Sequence, residues 1–272
     1  MLGGVRATTN STAKLSAAAV CAALTLLAAG CGDSGPAAPS SVPAGAIASI
    51  GSGGDTVTKA RFERFLSSQL SGKSPLGGSI AGSIPIDPPT FHKCAAALAA
   101  NDAKNKTPKH SAAELKANCV SQYKQTRDAV EGQLITYQWL IAEAKARSLT
   151  ASPDEVKQIL SQYINAGSVT SKAKRQAQLK FNAALKASGL ESGDLNSQLQ
   201  AQILQGKISQ AAIKEAGDPS KLKPADMQRI QIELANSIQR KWRAATLCAK
   251  GFTVAQCSNG PQLPDLKLPK QG

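Results

Sequence analysis

The sequence predicts a mainly α-helical protein of six or seven helices, one of them long, with at most one or two short strands. Aromatic residues make up only 4% of the 272 residues, while Ala, Leu, Lys and Gln, which favour helices, are common. Apolar residues recur at three- and four-residue spacing through most of the chain, and no run of alternating β-branched residues indicates an extensive sheet. We therefore expect a multi-helix core on which a C-terminal helix packs back.

The first thirty residues have the pattern of an export signal. Arg6 and Lys14 precede an apolar run at residues 15–29, and no acid accompanies them, as in the charged and apolar regions of a secretory signal. A helix over that run would be about 22 Å long, shorter than the roughly 30 Å hydrocarbon core of a bilayer. Residues 1–30 are therefore predicted to be a signal peptide rather than a permanent span.

A cysteine follows the apolar run directly. Residues 27–31, LAAGC, resemble a lipobox, whose cysteine is linked to diacylglycerol before the signal is cleaved; an ordinary signal peptide is the alternative. Two or more acyl chains hold a protein stably on a bilayer. We expect a lipidated Cys31, a flexible Gly-, Pro-, Ser- and Ala-rich tether at residues 31–45, and a protein anchored on the extracytoplasmic face of the cell membrane.

The chain is strongly basic. Its formal charge is +14, of which the predicted signal contributes only Arg6 and Lys14. A basic protein is often a nucleic-acid binder, but export excludes that partner. The anions left are lipid headgroups, acidic wall polymers or acidic client chains, and a solvated basic surface is the alternative that needs no ligand.

Four cysteines remain after Cys31, namely Cys94, Cys119, Cys248 and Cys257. An even number in an oxidising compartment predicts two disulfides. Three pairings exist, and we favour Cys94 with Cys119 and Cys248 with Cys257, since each closes a short local loop. Zinc is the competing interpretation, but there is no C-x-x-C pair and only one histidine lies near a cysteine, so we predict no metal site.

The first elements follow from local patterns. Residues 46–50 alternate small and apolar side chains before a Gly-rich turn and predict one short strand. Thr58 is a candidate N-cap of a first helix, because apolar residues follow it at helical spacing. Gly and four prolines make residues 71–90 a loop, and an Ala-rich helix at residues 90–101 carries Cys94.

Two later helices have strong start signals. Ser111 and Glu114 form a capping box that opens a helix reaching about Leu149, a length of about 55 Å. Residues 152–155, SPDE, combine an N-cap, proline at the first helical position and a capping Glu. The residues of this second helix that should face inward are Val156, Ile159, Leu160 and Tyr163.

The remaining helices end at glycines. One ends at Gly189, which should take a left-handed C-cap conformation, and the next runs to Gly217. Pro224 opens the last helix, whose apolar face continues to Trp242 and which Gly251 should end. We therefore divide the exported chain into a helical domain at residues 46–217 and a C-terminal helix with a disulfide-pinned tail at residues 218–272.

No constellation of residues predicts catalysis. His92 and His110 lie in polar connecting segments without a partner acid at helical spacing, and we expect both to be solvated. Asp154 and Glu155 are explained as helix-capping acids. The sequence lacks the motifs of serine hydrolases, zinc peptidases and phosphate-binding loops, so we predict no catalytic residue and no cofactor.

An ordered series of motifs resembles the SurA/PrsA-type extracytoplasmic foldases. The opening at residues 46–66, with Val57-Thr58-Lys59 and Phe62, is similar to the family's strand, turn and I-T-K-x-x-F helix. The long helix followed by residues 152–156 resembles its V-S-D-x-E-V segment, and residues 181–208 resemble its later apolar helices. Order and spacing match over roughly residues 46–217.

The resemblance implies a chaperone core without an enzyme. The family's parvulin domain, with its A-x-H-I and G-G-D-L-G motifs, has no counterpart between Gly217 and the last helix. We therefore expect a membrane-anchored chaperone or foldase that binds unfolded exported polypeptides and does not catalyse prolyl isomerisation. The alternatives are a degenerate peptidyl-prolyl isomerase, or a structural envelope lipoprotein that binds one fixed partner or an anionic polymer.

Groove residues for such clients are harder to name from sequence. The aromatic candidates on predicted helices are Phe62, Phe65, Tyr123, Tyr137 and Trp139. Aromatic residues at helical spacing are more often ordinary core than a binding surface, so each is expected to be core first. The oligomeric state does not follow from the sequence.

Overall fold

The computed structural model contains seven helices and three short strands within the residues that it describes. Those residues are 36–52, 55–72, 75, 84–106, 110–166 and 170–267. The predicted signal peptide, Cys31 and residues 32–35 of the predicted tether lie outside them. The elements are β1 Ala46–Ile50, β2 Asp55–Thr58, α1 Lys59–Leu70, α2 His92–Asn105, α3 Ala112–Ala146, α4 Pro153–Asn165, α5 Ser171–Ser188, α6 Ser192–Ala216, α7 Pro224–Ala244 and β3 Thr246–Cys248. The mainly helical class predicted from the sequence is confirmed.

Three of the described helices begin where the sequence places an N-cap. The Thr58 hydroxyl accepts a hydrogen bond from the Arg61 amide at 3.2 Å. Ser111 forms the capping box, since its hydroxyl accepts from the Glu114 amide while the Glu114 carboxylate accepts from the Ser111 amide at 2.7 Å. Ser152 and Glu155 repeat the arrangement at α4. These bonds satisfy amides that the first helical turn leaves unpaired.

The three strands form one antiparallel sheet in the order β2-β1-β3. Ala48 of β1 pairs with Val57 on one side and with Cys248 on the other. The sequence pattern predicts only β1 as a strand, because the residues of β2 have the pattern of a turn followed by a helix N-cap. The sheet joins the segment after residue 46 to the chain that follows α7, on either side of the division drawn at Gly217.

The last helix ends earlier than predicted. α7 stops at Ala244, whereas its apolar spacing continues through Leu247 and suggested an end at Gly251. The Thr246 hydroxyl donates to the Trp242 carbonyl and accepts from the Trp139 indole, each at 2.7 Å. These contacts turn the chain out of the helix, and residues 246–248 then pair with β1.

One main hydrophobic core lies between the sheet and the helices α1, α3 and α6. Its fully buried members include Ile47, Ile50, Leu134, Ile135 and Leu195. The 35 residues of α3 extend about 52 Å and contact α1, α2, α6 and α7. A long helix with so many neighbours is the axis on which the other helices pack.

Two cysteine pairs lie at bonding distance. The Sγ atoms of Cys94 and Cys119 are 2.00 Å apart and link α2 to α3. Those of Cys248 and Cys257 are 2.02 Å apart and link β3 to the segment after it. These are the two local pairings that the spacing favours.

One predicted inward residue points outward. Val156 of α4 is buried, and Ile159 and Leu160 are half-buried, but Tyr163 is 48% exposed. The apolar face of α4 is longer than the surface that its neighbours cover, so its last turn meets solvent. None of the described helices has the length and hydropathy needed to cross a membrane. Residues from Gly35 onward form one compact unit.

Candidate functional site

A groove of about 690 Å³ lies between α3, α6 and α7. Side chains from all three helices supply its apolar surface: Tyr137, Trp139, Leu140, Ile208, Leu234 and Ile238. Five glutamines also line it: Gln202, Gln205, Gln231, Gln239 and Gln256. None of the described residues that line the groove is charged. We call it the amide groove.

Packing below the groove fixes the positions of its walls. Ala144, Leu204 and Ile208 form a small buried cluster that holds α6 against α3. Gly206 lies on the α6 wall, and a Cβ atom there would meet nothing within 4 Å. Gly132 of α3 has the opposite role, because a Cβ atom there would lie 2.7 Å from the Gln256 amide. Only glycine therefore lets Gln256 approach α3 at the edge of the groove.

The two aromatic side chains of α3 are held in place. The Trp139 indole donates to the Thr246 hydroxyl at 2.7 Å, so its orientation depends on β3. The Tyr137 hydroxyl accepts from the Gln133 amide. Burial raises the pKa of Tyr137, which keeps the phenol neutral. Because the Trp139 indole is buried and its N–H is bonded to Thr246, the polar groups that the described lining residues offer are amides and hydroxyls.

A buried ionic network joins α3 to α7 beside the groove. Both Lys241 and Arg147 donate to the Glu143 carboxylate at 2.7 Å, and the Trp242 indole donates to it at 2.8 Å. Burial favours the protonated acid, but these three hydrogen bonds outweigh it and lower the pKa of Glu143. The charges therefore neutralise one another within the helix packing instead of facing the groove.

The chain after β3 runs back along α7 and forms one edge of the groove. The Asn236 side chain accepts from the Leu266 amide at 2.8 Å and donates to the Leu266 carbonyl at 3.1 Å. The Gln239 amide donates to the carbonyls of Leu263 and Pro264 at 3.4 Å. Leu263 itself lines the groove. We call residues 261–267, which have neither helix nor strand structure, the tail segment.

The tail segment shows how side chains of α7 bind a peptide backbone. A carboxamide both donates and accepts, so a single Asn or Gln can satisfy the amide and the carbonyl of one residue. Asn236 does this for Leu266. Arg243 adds bonds to the Ala255 and Gly260 carbonyls at 3.0 and 2.9 Å. These contacts are all made to backbone atoms and do not depend on particular side chains of the bound segment.

A buried carboxyl group lies beside the second disulfide. Glu131 of α3 has no measurable exposure, and neither of its carboxylate oxygens has a hydrogen-bond partner among the described residues. Burial raises its pKa to about 7, against a smaller opposing effect of Arg127. Its nearest oxygen and the sulfurs of Cys248 and Cys257 lie within 4.8 Å of one another. Both sulfurs belong to the disulfide, so neither is available as a thiolate ligand.

The aromatic candidates from the sequence separate into two sets. Phe62 and Phe65 are 4% exposed and belong to the main core, and Tyr123 packs against Phe91 beside the first disulfide. Tyr137 and Trp139, 8% and 3% exposed, belong to the same main core and also line the amide groove. The glutamines of the groove were not predicted, because Gln is common on every helix and its spacing does not distinguish a groove from solvent.

One histidine has a partner that the sequence pattern missed. The Nδ1 atom of His110 lies 2.8 Å from the Asp102 carboxylate, and the hydrogen bond to Asp102 raises the pKa of His110. Asp102 is eight residues away, outside helical spacing, so the sequence pattern did not indicate the contact. Both His110 and His92 are exposed, far from the groove along α3.

No protein-family model matches this chain, and the searches of curated proteins and of solved structures likewise found no match.

Proposed function

We propose that this protein is a membrane-anchored extracytoplasmic chaperone that binds unfolded exported polypeptides in the amide groove, without prolyl isomerase activity. The observation that carries the proposal is the composition of the groove. Its apolar surface suits exposed hydrophobic side chains, and its five glutamines suit the amides and carbonyls of a chain that lacks secondary structure.

The tail segment supports an unfolded polypeptide as the occupant. It has no regular secondary structure, contains prolines, inserts Leu263 into the groove edge and is held through its backbone by Asn236 and Gln239. An unfolded client has the same chemistry. Backbone recognition with an apolar anchor is also tolerant of sequence, as a binder of many clients requires.

The described residues that line the groove carry no charge, which supports a binding function and not catalysis. They offer amide and hydroxyl groups, and the nearby Glu143 is held by Lys241, Arg147 and Trp242. General acid or base catalysis needs a titratable group that can reach the substrate. A surface without one is suited to holding a client and releasing it unchanged.

The test is aggregation of an unfolded client in the presence of residues 36–272, the compact unit without the predicted anchor. We expect aggregation to be suppressed at molar excess. Leu234→Asp places a carboxylate in the apolar surface of the groove and should weaken client binding at least about tenfold, because the charge must be desolvated when a client enters. Fluorescence anisotropy of a labelled unfolded client measures the affinity.

Val120→Asp is the matched control. Val120 is an apolar residue of α3 that is 43% exposed and lies 16 positions before the first groove residue, Thr136, so the same substitution there should leave affinity unchanged. Equal affinities for the two variants, or no suppression by the unaltered protein, contradict the proposal. A prolyl isomerisation assay on the same samples should show no acceleration above background.

A further inference from the structure

A second surface, separate from the amide groove, lies on the hairpin of α4 and α5. The stretch from residue 156 to residue 190 contains six lysines and arginines and no acidic residue. Five of these cations are on α5 alone: Lys172, Lys174, Arg175, Lys180 and Lys186. Excess charge of one sign over a whole helix raises the electrostatic potential of the surrounding surface.

The cations of α5 have no acidic partners. Within the described residues, none of the five forms an ion pair, although the same chain pairs many of its other cations. The acids at either end of the stretch are already bound elsewhere, since Glu155 lies 2.6 Å from Lys207 and Glu191 lies 3.2 Å from Arg64. The positive charge of the helix is therefore open to an external anion.

The position of α5 makes it peripheral. It packs on α4 and α1, and Ser188 is its one buried residue among those described. Phe181 and Leu185 are half-buried and pack against the main core, which fixes the inward side of the helix. Leu179, on the other side, is 62% exposed, the largest value among the exposed large hydrophobic residues.

The exposed leucine and three cations share one face. At 100° per residue, Lys172, Arg175 and Lys186 all lie within about 40° of Leu179 around the helix axis. Helices that lie on bilayer surfaces combine lysines and arginines with apolar side chains that enter the headgroup boundary, and this face combines three cations with one exposed leucine. We call these four residues the basic face.

We propose that the basic face binds an anionic phospholipid bilayer and holds the folded domain against the membrane surface. The cations contact lipid phosphates while Leu179 enters the boundary between headgroups and acyl chains. A bilayer is favoured over a soluble polyanion because the face combines its charge with an exposed apolar side chain. The predicted lipid anchor at Cys31 would keep the face within reach of the bilayer, because the compact unit begins only four residues later, at Gly35.

The contact would also orient the amide groove. The groove is built from α3, α6 and α7, whereas the basic face belongs to α5, so binding of a bilayer leaves the groove uncovered. A domain held by one face and by its tether presents its groove in a restricted orientation to chains that emerge from the membrane. The two surfaces can be tested separately for the same reason.

The test is partition of residues 36–272 onto vesicles of phosphatidylcholine alone or with phosphatidylglycerol, measured by sedimentation at low and high salt. We expect binding that requires phosphatidylglycerol and is lost at high salt. The triple variant Lys172→Ala, Arg175→Ala, Lys186→Ala should lower partition about 100-fold, since each basic residue near an anionic surface contributes about fivefold. Leu179→Ala should lower it severalfold through the lost apolar contact.

A matched triple variant separates a specific face from net charge. Lys104→Ala, Lys116→Ala and Lys124→Ala remove the same charge from exposed positions on α2 and α3, and vesicle binding should change by less than about fivefold. Circular dichroism and thermal melting should show both triple variants folded, because all six side chains are exposed.

Three outcomes would overturn the proposal. The first is equal loss of vesicle binding in the two triple variants, which would make the effect one of net charge. The second is partition that does not depend on phosphatidylglycerol. The third is a basic-face variant that binds vesicles normally but loses affinity for an acidic unfolded client, which would assign the face to client binding. Leu234→Asp should bind vesicles like the unaltered protein, so failure of the groove proposal would be seen separately.

Discussion

The amide groove and the basic hairpin of α4 and α5 differ in both packing and charge. The groove is walled by helices that share a buried core, and the described residues that line it carry no charge. The hairpin has two buried residues among those described, Val156 and Ser188, and an outer face rich in unpaired cations. The groove is a concave surface with neutral hydrogen-bonding groups. The hairpin has a positive electrostatic potential but, among its described residues, no cavity of comparable definition.

The difference indicates what each region can recognise. Neutral amides on a fixed apolar surface discriminate by geometry, because an unsatisfied donor or acceptor costs free energy when a partner covers it. Charges on a peripheral helix act at a distance and are screened by salt. We therefore expect binding in the groove to be nearly independent of ionic strength and binding at the basic face to depend on it strongly.

The two regions should differ most in how much a Leu→Ala substitution lowers the free energy of unfolding. Leu204→Ala in the α6 wall removes a side chain that is 2% exposed and should lower the free energy of unfolding by about 4 kcal/mol, since it leaves a cavity. Leu179→Ala on α5 should change it by less than about 0.5 kcal/mol. Urea denaturation of both variants measures the difference, and similar values would show that the hairpin is not peripheral.

The second contrast is between two buried glutamates of α3, whose effects on stability should depend on pH in opposite directions. The pKa of Glu131 is about 7 in the folded protein and about 4.5 ordinarily, so between these values the folded state holds a proton that the unfolded state has lost. Stability from this group is therefore greatest below about pH 4.5 and falls as pH rises through 7, by about 3 kcal/mol in all. Glu131→Gln should remove this loss and be more stable than the unaltered protein at pH 8.

Glu143→Gln is the control of opposite sign. The pKa of Glu143 is lowered in the folded state, so its contribution to stability is present at neutral pH and is lost as pH falls through the folded value. The variant should therefore be destabilised at neutral pH, where Glu131→Gln is stabilised. Urea denaturation between pH 4 and pH 8, without reductant, tests both, and effects of the same sign at neutral pH would contradict the assignment.

The smallest effect should come from the tail segment. Asn236→Ala removes both hydrogen bonds to Leu266 and should cost about 1 kcal/mol, with carboxypeptidase removing the tail about fivefold faster. Asn182→Ala on α5 breaks a single exposed bond with Gln178 and is the matched control. Equal trimming rates for the two variants would mean that Asn236 does not hold the tail.

Local signals predicted much of the helical structure. The caps at Thr58, Ser111, Ser152 and Gly189 all occur where the sequence indicates them. A cap is a set of hydrogen bonds among residues three positions apart, or one residue with a special backbone angle. Its energy does not depend on the rest of the molecule, and the pattern is therefore readable from the sequence.

Features that depend on contacts between distant residues could not be predicted from the sequence. Residues 246–248 continue the apolar spacing of α7, and only pairing with β1 makes them a strand. The partner of His110 is Asp102, which lies outside helical spacing from it in the sequence. Tyr163 has the spacing of a core residue but extends past the surface that covers α4.

The sequence by itself determined the helical class, the starts of α1, α3, α4 and α7, the local spacing of the cysteine pairs and the acid-free stretch of residues 156–190, because each is a property of neighbouring residues. Only the tertiary structure decided that α3, α6 and α7 leave an uncharged groove between them, that Glu131 is buried without a partner, and that Leu179 faces solvent among cations. Burial of a side chain depends on which helices pack against it, and helical periodicity is the same for a face that meets a neighbour and a face that does not.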